Sequence, residues 1–168
     1  MVILVDGHNL IPKLPSLSLN DPQDERKLIE ILSEYARLSR HKVILFLDKR
    51  AIGQAFAKTV GTIKIFHADE RTTADETIVH YLQKHSPKSQ TMLVISSDHH
   101  VQIQAKSLGA KTQRSEEFAK TVVKLLQNPP SYKNNKAKPK MEEPLSAEEM
   151  SDWIDIFNSG PSEKYSKQ

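Results

Sequence analysis

Three short apolar runs in this chain each meet an aspartate within three residues of their end. Met1–Val5 is followed by Asp6, Val43–Leu47 by Asp48, and Met92–Ile95, after two serines, by Asp98. Runs of this length and β-branched content predict buried strands of a parallel sheet, and open α/β sheets gather their ligands at the carboxyl ends of such strands. Acids separated by tens of residues are therefore expected to converge in space. Carboxylates brought together repel one another unless a cation neutralises them, which makes a hard divalent metal the expected resident.

The segments between the runs carry helical spacing. Asp21-Pro22 reads as an N-cap with proline at the first helical position, and Leu28, Ile31, Leu32 and Tyr35 continue an amphipathic helix to about Ser39. Residues 49–61 are ambiguous, with a short helix expected around Ala51–Lys58, and Ile63–Phe66 reads as a third strand. Thr73 and Glu76 form a capping-box pattern opening a helix to about Lys84. After the Met92–Ser96 strand, Val101, Ala105 and Leu108 predict a helix stopped by Gly109, then an edge strand at Ala110–Thr112. Ser115 is expected to cap a last helix whose Phe118, Val122 and Leu125 face inward. Strands alternating with helices imply right-handed crossovers and a mostly parallel sheet covered on both faces.

Domain organisation follows from a change of composition at Asn128. Residues 1–128 read as one catalytic domain, 129–144 as a Pro/Lys-rich linker, 145–158 as an amphipathic helix and 159–168 as a disordered tail. Met150, Trp153, Ile154 and Phe157 trace one stripe on that helix, which is expected to pack on the parent domain. The chain has 168 residues and no cysteine, so thiolate metal sites and disulfides are excluded. The N-terminal apolar stretch ends at Asp6, too short for a signal-peptide core or a membrane span, and a cytoplasmic location is the expectation.

Net charge is +3. Residues 1–128 hold 18 Lys and Arg against 14 Asp and Glu, four of which belong to the expected acid cluster, so the remaining surface is basic. A basic body around an acidic pocket suits a polyanion. The histidines show no zinc-ligand spacing, and neither GxGxxG, GxxxxGK[ST] nor GxSxG occurs.

Phosphodiester hydrolysis needs an activated water and neutralised phosphoryl oxygens, which carboxylate-bound Mg²⁺ or Mn²⁺ supplies. Asp6, Asp75, Asp98 and Glu76 are the candidate metal ligands, with Asn9 beside them to orient a water or a bound Asp. Arg71, Thr72, Thr73, Ser97 and Asn9 are placed near the scissile phosphate. Asp48 is the weakest member, since Asp48-Lys49-Arg50 also reads as a solvated charge cluster. A lone Asp at a strand end is commonly a turn or cap residue, and Asp75 or Glu76 would serve as first-turn acids of a helix; the four taken together favour a site.

With Val5-Asp-Gly-His-Asn9, Leu45-Phe-Leu-Asp48, Thr73-Ala-Asp-Glu-Thr-Ile78 and Ile95-Ser-Ser-Asp98, residues 1 to about 127 resemble the YacP-like branch of the NYN domains, relatives of PIN nucleases. The resemblance implies a PIN-like Rossmannoid three-layer α/β fold and a Mg²⁺- or Mn²⁺-dependent endoribonuclease. By the same resemblance Asp6, Asp75 and Asp98 form the metal centre, with Asn9 and Glu76 close by. Messenger, ribosomal or transfer RNA is the implied partner and the ribosome a candidate one. Two positions depart from the family pattern: His8 replaces an aromatic, and Gln102 stands where many PIN-like enzymes carry another Asp. Gln102 is the sequence support for an alternative reading, an RNA-binding or ribosome-docking module with a vestigial nuclease site. A receiver-like phosphoacceptor is disfavoured by Gly7, where that fold pairs a second acid.

Overall fold

The structure is a computed structural model that describes residues 1–48, 57–69 and 71–130. The expected helix at 145–158, its stripe and the tail at 159–168 lie outside the described residues, as does nearly all of the linker at 129–144. Among the described residues six strands form one sheet in the order β3-β4-β2-β1-β5-β6: β1 Val2–Asp6, β2 Lys42–Leu47, β3 Ala57–Val60, β4 Ile63–His67, β5 Met92–Ile95 and β6 Lys111–Gln113. All neighbours are parallel except β3 and β4.

Alternate residues of the central strands feed two cores. Ile3, Val5, Val43, Leu45 and Leu47 pack against helices α2 (Asp24–Ser39) and α5 (Ser115–Gln127). Leu4, Ile44 and Phe46 pack against α3 (Ala74–Lys84) and α4 (His99–Ser107). The result is the three-layer arrangement that the sequence predicts. On α2, Leu28, Leu32, Tyr35 and Ala36 form the buried stripe, and each large apolar side chain so buried contributes roughly 1.5–3 kcal/mol. Tyr35 meets Phe118 of α5 edge-on, with ring centroids 5.1 Å apart.

Several boundaries differ from expectation. Asp21 does not cap α2: its Oδ1 accepts the Gln23 amide and its Oδ2 pairs with Lys27, holding a turn that precedes the helix at Asp24. Lys58, expected near the end of a short helix, lies in β3, which returns through Gly61 to β4 as an antiparallel hairpin; Gly61 takes φ +59°, open to glycine. The rest of that expected helix, 51–56, is outside the described residues. Ser115 is not a capping residue: Arg114 occupies the N-cap without a side-chain bond, and the Ser115 hydroxyl is used elsewhere. The edge strand falls one residue later than expected, at Lys111–Gln113.

From β1 the chain adds β2 and then β4 on one side, and β5 and β6 on the other. Strand order therefore reverses between β1 and β5, and the crevice at their carboxyl ends is where an α/β sheet of this kind binds ligands. Among the described residues no helix is long and apolar enough to cross a membrane.

Candidate active site

Each strand-end acid is held by a helix N-terminus. Asp6 ends β1 and caps α1 (Gly7–Leu10), its Oδ1 accepting the Asn9 amide at 3.2 Å. Asp98 caps α4, its Oδ1 accepting the amides of His100 and Val101 at 2.7 and 3.1 Å. Asp48 reaches across to another element and accepts the Ala74 amide, at the first position of α3, at 2.8 Å. These bonds satisfy amides that a helix leaves unpaired and add the favourable charge–dipole term. They also fix each carboxylate by one oxygen.

Asp75, the second residue of α3, is thereby brought to Asp6, and their carboxyls share a hydrogen bond. Burial, with the nearby charges of Asp75 and Asp48, pushes the Asp6 carboxyl up to about 7. Asp75 is raised as well, by burial first and then by the fields of Asp98 and Asp48, against the lowering effects of the Asp6 bond and of His100. Both carboxyls are thus raised, and the pair holds a proton between them. Asp6 lies in the field of Asp75 and Asp48, and Asp75 in that of Asp98 and Asp48.

Two further features hold the crevice. Gly7 is required by packing: a Cβ there would lie 2.6 Å from Leu47 Cδ2 and 3.1 Å from the Phe46 carbonyl. Ser96, fully buried, donates to Asp6 Oδ2 at 3.3 Å and accepts the Asp98 amide at 3.1 Å, linking the two acids through one hydroxyl. Gln102 donates to the Ser96 carbonyl at 2.7 Å and so braces the same turn; its side chain is a tie in the backbone rather than a member of the acid group.

Asn9 forms a second network beside the first. Its Oδ1 accepts both the Ser97 amide and the Ser115 hydroxyl at 2.9 Å, joining the ends of β1 and β5 to α5. The Ser97 amide can only donate, which fixes the orientation of the Asn9 amide and leaves its NH₂ as a donor. The Ser97 hydroxyl accepts the Ser115 amide and donates to Glu116, which in turn pairs with Lys13 at 2.8 Å. Lys13 and Ser97 hold the Glu116 carboxyl down to about 2.

The remaining expected residues sit on the approach to α3. The Asp69 carboxylate accepts the amides of Arg71 and Thr72 and the Thr72 hydroxyl, closing a turn that leaves Arg71 exposed. Thr73 caps α3, and Glu76 turns back to accept the Thr73 amide at 3.1 Å in a complete capping box. The structure therefore brings Asp6, Asp75, Asp98 and Asp48 together, and commits the Glu76 carboxylate to the helix terminus. Ser96, Ser115, Glu116 and Lys13 belong to the surrounding network and carry no local sequence signal, because their partners are far away in the chain.

The family profile described as YacP-like NYN domain matches residues 3–158. The chain belongs to the YacP-like NYN family. No match was found among curated proteins. Among solved structures it is similar to Rae1 (YacP) from Bacillus subtilis, with 24% identity over 76% of each chain and a TM-score of 0.65. A tryptophan-to-leucine mutant of the same protein gives 24% identity, a TM-score of 0.63, and coverage of 76% of this chain and 77% of that one. These likenesses show the fold. The NYN profile extends past residue 127 through the segment expected to form linker and helix. The domain is of the PIN-like, nuclease type.

An oxygen-only donor set of mutually repelling carboxylates fits a hard divalent cation. Among the described residues no three acids or histidines enclose an ion by themselves. That is compatible with Mg²⁺, which keeps several waters and takes one or two carboxylates together with substrate phosphate oxygens.

Proposed function

We propose that this NYN protein is a cytoplasmic metal-dependent endoribonuclease, whose Mg²⁺ or Mn²⁺ ion would be held by the carboxylates of Asp6, Asp75 and Asp98, some of them through coordinated water, and completed by substrate phosphate oxygens. The observation that carries the proposal is the hydrogen-bonded Asp6–Asp75 pair, with Asp98 and Asp48 in its field, at the β1/β5 crevice of a nuclease-type domain. A cation replacing the proton that the pair shares accounts for the arrangement.

The bound ion would neutralise phosphoryl oxygens and acidify an attacking water. The chain's own residues contribute placement. The Asn9 NH₂, fixed by Ser97 and Ser115, is a rigid donor beside Asp6 for a water or phosphate oxygen. Arg71, exposed on the turn that Asp69 and Thr72 close, is a cation on the approach to α3 and is assigned with Thr72 and Thr73 to the RNA backbone. Ser97, bonded to Asn9 and Glu116, is assigned to the substrate beside Asn9. Glu76, engaged in the capping box, is left out of the metal set. RNA is the proposed substrate class, and the ribosome a candidate for presenting it.

Mapping RNA 5′ ends in cells that carry either the wild-type protein or Asp98→Asn at equal abundance tests the reading. Internal ends present only with the wild type are expected. Identical end maps, with both proteins still bound to RNA, would establish the vestigial, RNA-binding alternative instead.

A further inference from the structure

Of the three described strand-end acids, Asp6 and Asp98 cap the helix that follows their own strand, whereas the Asp48 carboxylate bonds to a distant helix. Its Oδ1 accepts the amide of Ala74, 26 residues away, at 2.8 Å. Ala74 opens α3, and its amide is among those that a helix cannot satisfy internally. The local cap does not supply this acceptor, because the Thr73 hydroxyl is taken by the Glu76 amide and the Glu76 carboxylate by the Thr73 amide. The capping box therefore leaves the Ala74 amide to Asp48. The next residue along is Asp75, whose carboxyl meets Asp6.

We propose that Asp48 is a positioning residue: by accepting the Ala74 amide it docks the first turn of α3 on the end of β2 and so sets where Asp75 stands relative to Asp6. This deepens the metal-centre reading and rests on it for its effect on activity. β2 pairs directly with β1 in a register that sets Asp6 opposite Phe46, two residues before Asp48. One strand pair thus carries Asp6 directly and, through the Asp48–Ala74 bond together with the packing of α3 on the sheet, Asp75. Glu76 cannot substitute, since its reach is confined to the capping box of the same helix. The role needs an acceptor oxygen and not a negative charge, and that separates it from metal ligation.

The test compares full-length wild type with Asp48→Asn, which keeps an acceptor oxygen, and Asp48→Ala, which removes it. Hydrogen exchange at the Ala74 amide is read by NMR without metal, and Mn²⁺ affinity by titration. Protection of Ala74 is expected in wild type and Asp48→Asn and is expected to be lost in Asp48→Ala. Mn²⁺ should bind Asp48→Asn within about threefold of wild type and Asp48→Ala roughly 10- to 100-fold more weakly, the range for residues that orient a metal's ligands. An unprotected Ala74 amide in the wild type overturns the proposal, as does unchanged Mn²⁺ affinity in Asp48→Ala. So does an Asp48→Asn variant as impaired as Asp48→Ala, which would make the charge the essential feature. If wild type takes up no Mn²⁺ at all, the metal-centre reading fails, while the exchange data still decide the docking role of Asp48.

Discussion

The Asp6 and Asp75 carboxyls share a hydrogen bond, and with it one proton, although the two residues lie on different elements, the end of β1 and the first turn of α3. Burial and the neighbouring acids make that proton hard to remove. A divalent cation offers the same relief, and the contest between proton and cation has measurable consequences.

The first is a dependence of stability on pH. Asp6 has a folded-state value near 7 against 3.8 in the unfolded chain, so between these limits the folded protein keeps a proton that the unfolded one has released. Stability in EDTA should therefore fall as pH rises from about 4 to about 7, with a limiting slope of about 1.4 kcal/mol per pH unit for one proton. Asp6→Asn should flatten that slope, read by urea denaturation across the range. Glu116 acts in the opposite direction and lower down, its contribution being lost as pH falls from 4.5 towards 2. A wild-type profile that rises steadily from pH 5 to 7 would contradict the burial of a protonated Asp6.

Asn9→Ala should lower stability by about 1–3 kcal/mol, the cost of leaving a buried donor unpaired, since the Ser115 hydroxyl loses its acceptor along with the Ser97 amide. Thermal unfolding gives the value. RNA affinity should drop less than cleavage rate, because the basic surface is untouched.

Much of this was legible in the chain and some was not, for reasons of distance. Asp6 and Asp98 follow apolar runs that can only be inner strands of such a sheet, so their convergence was readable. Asp75 came with its motif. Asp48 reads locally as part of a charge cluster with Lys49 and Arg50, whereas its partner, the Ala74 amide, lies 26 residues on. Asn9 bonds across 88 and 106 residues, beyond any local pattern. Glu76 carried both readings in one motif, since Thr73-Ala-Asp-Glu is a capping box as well as a pair of acids, and the carboxylate satisfies the nearer amide. The β3 strand carries no local signal because Ala57–Val60 is short and mixed in character, and its strand state comes from pairing with β4.

Gly7→Ala should destabilise the protein by roughly 1–3 kcal/mol, the usual cost of forcing a methyl group into a packed core. The new Cβ would press on Leu47 and on the Phe46 carbonyl, next to Asp6. Cleavage should fall further than the stability loss explains, checked by assaying at a temperature where the variant remains folded.

RNA binding should weaken steeply with salt, since a basic domain releases counterions from the phosphates it neutralises. Asp6→Asn and Asp98→Asn should retain that salt dependence, measured by fluorescence anisotropy between low and physiological ionic strength. Binding that ignores salt would place recognition elsewhere than in the RNA backbone.

The most direct test is single-turnover RNA cleavage by the purified protein as a function of Mn²⁺ concentration, for wild type and Asp98→Asn at matched stability. The account predicts saturable, EDTA-reversible cleavage by the wild type and a loss on the order of 10²-fold or more in the variant, the scale on which single electrostatic contributors to catalysis are measured. Cleavage that proceeds equally in EDTA, or equally in Asp98→Asn, would contradict a metal centre built on Asp6, Asp75 and Asp98.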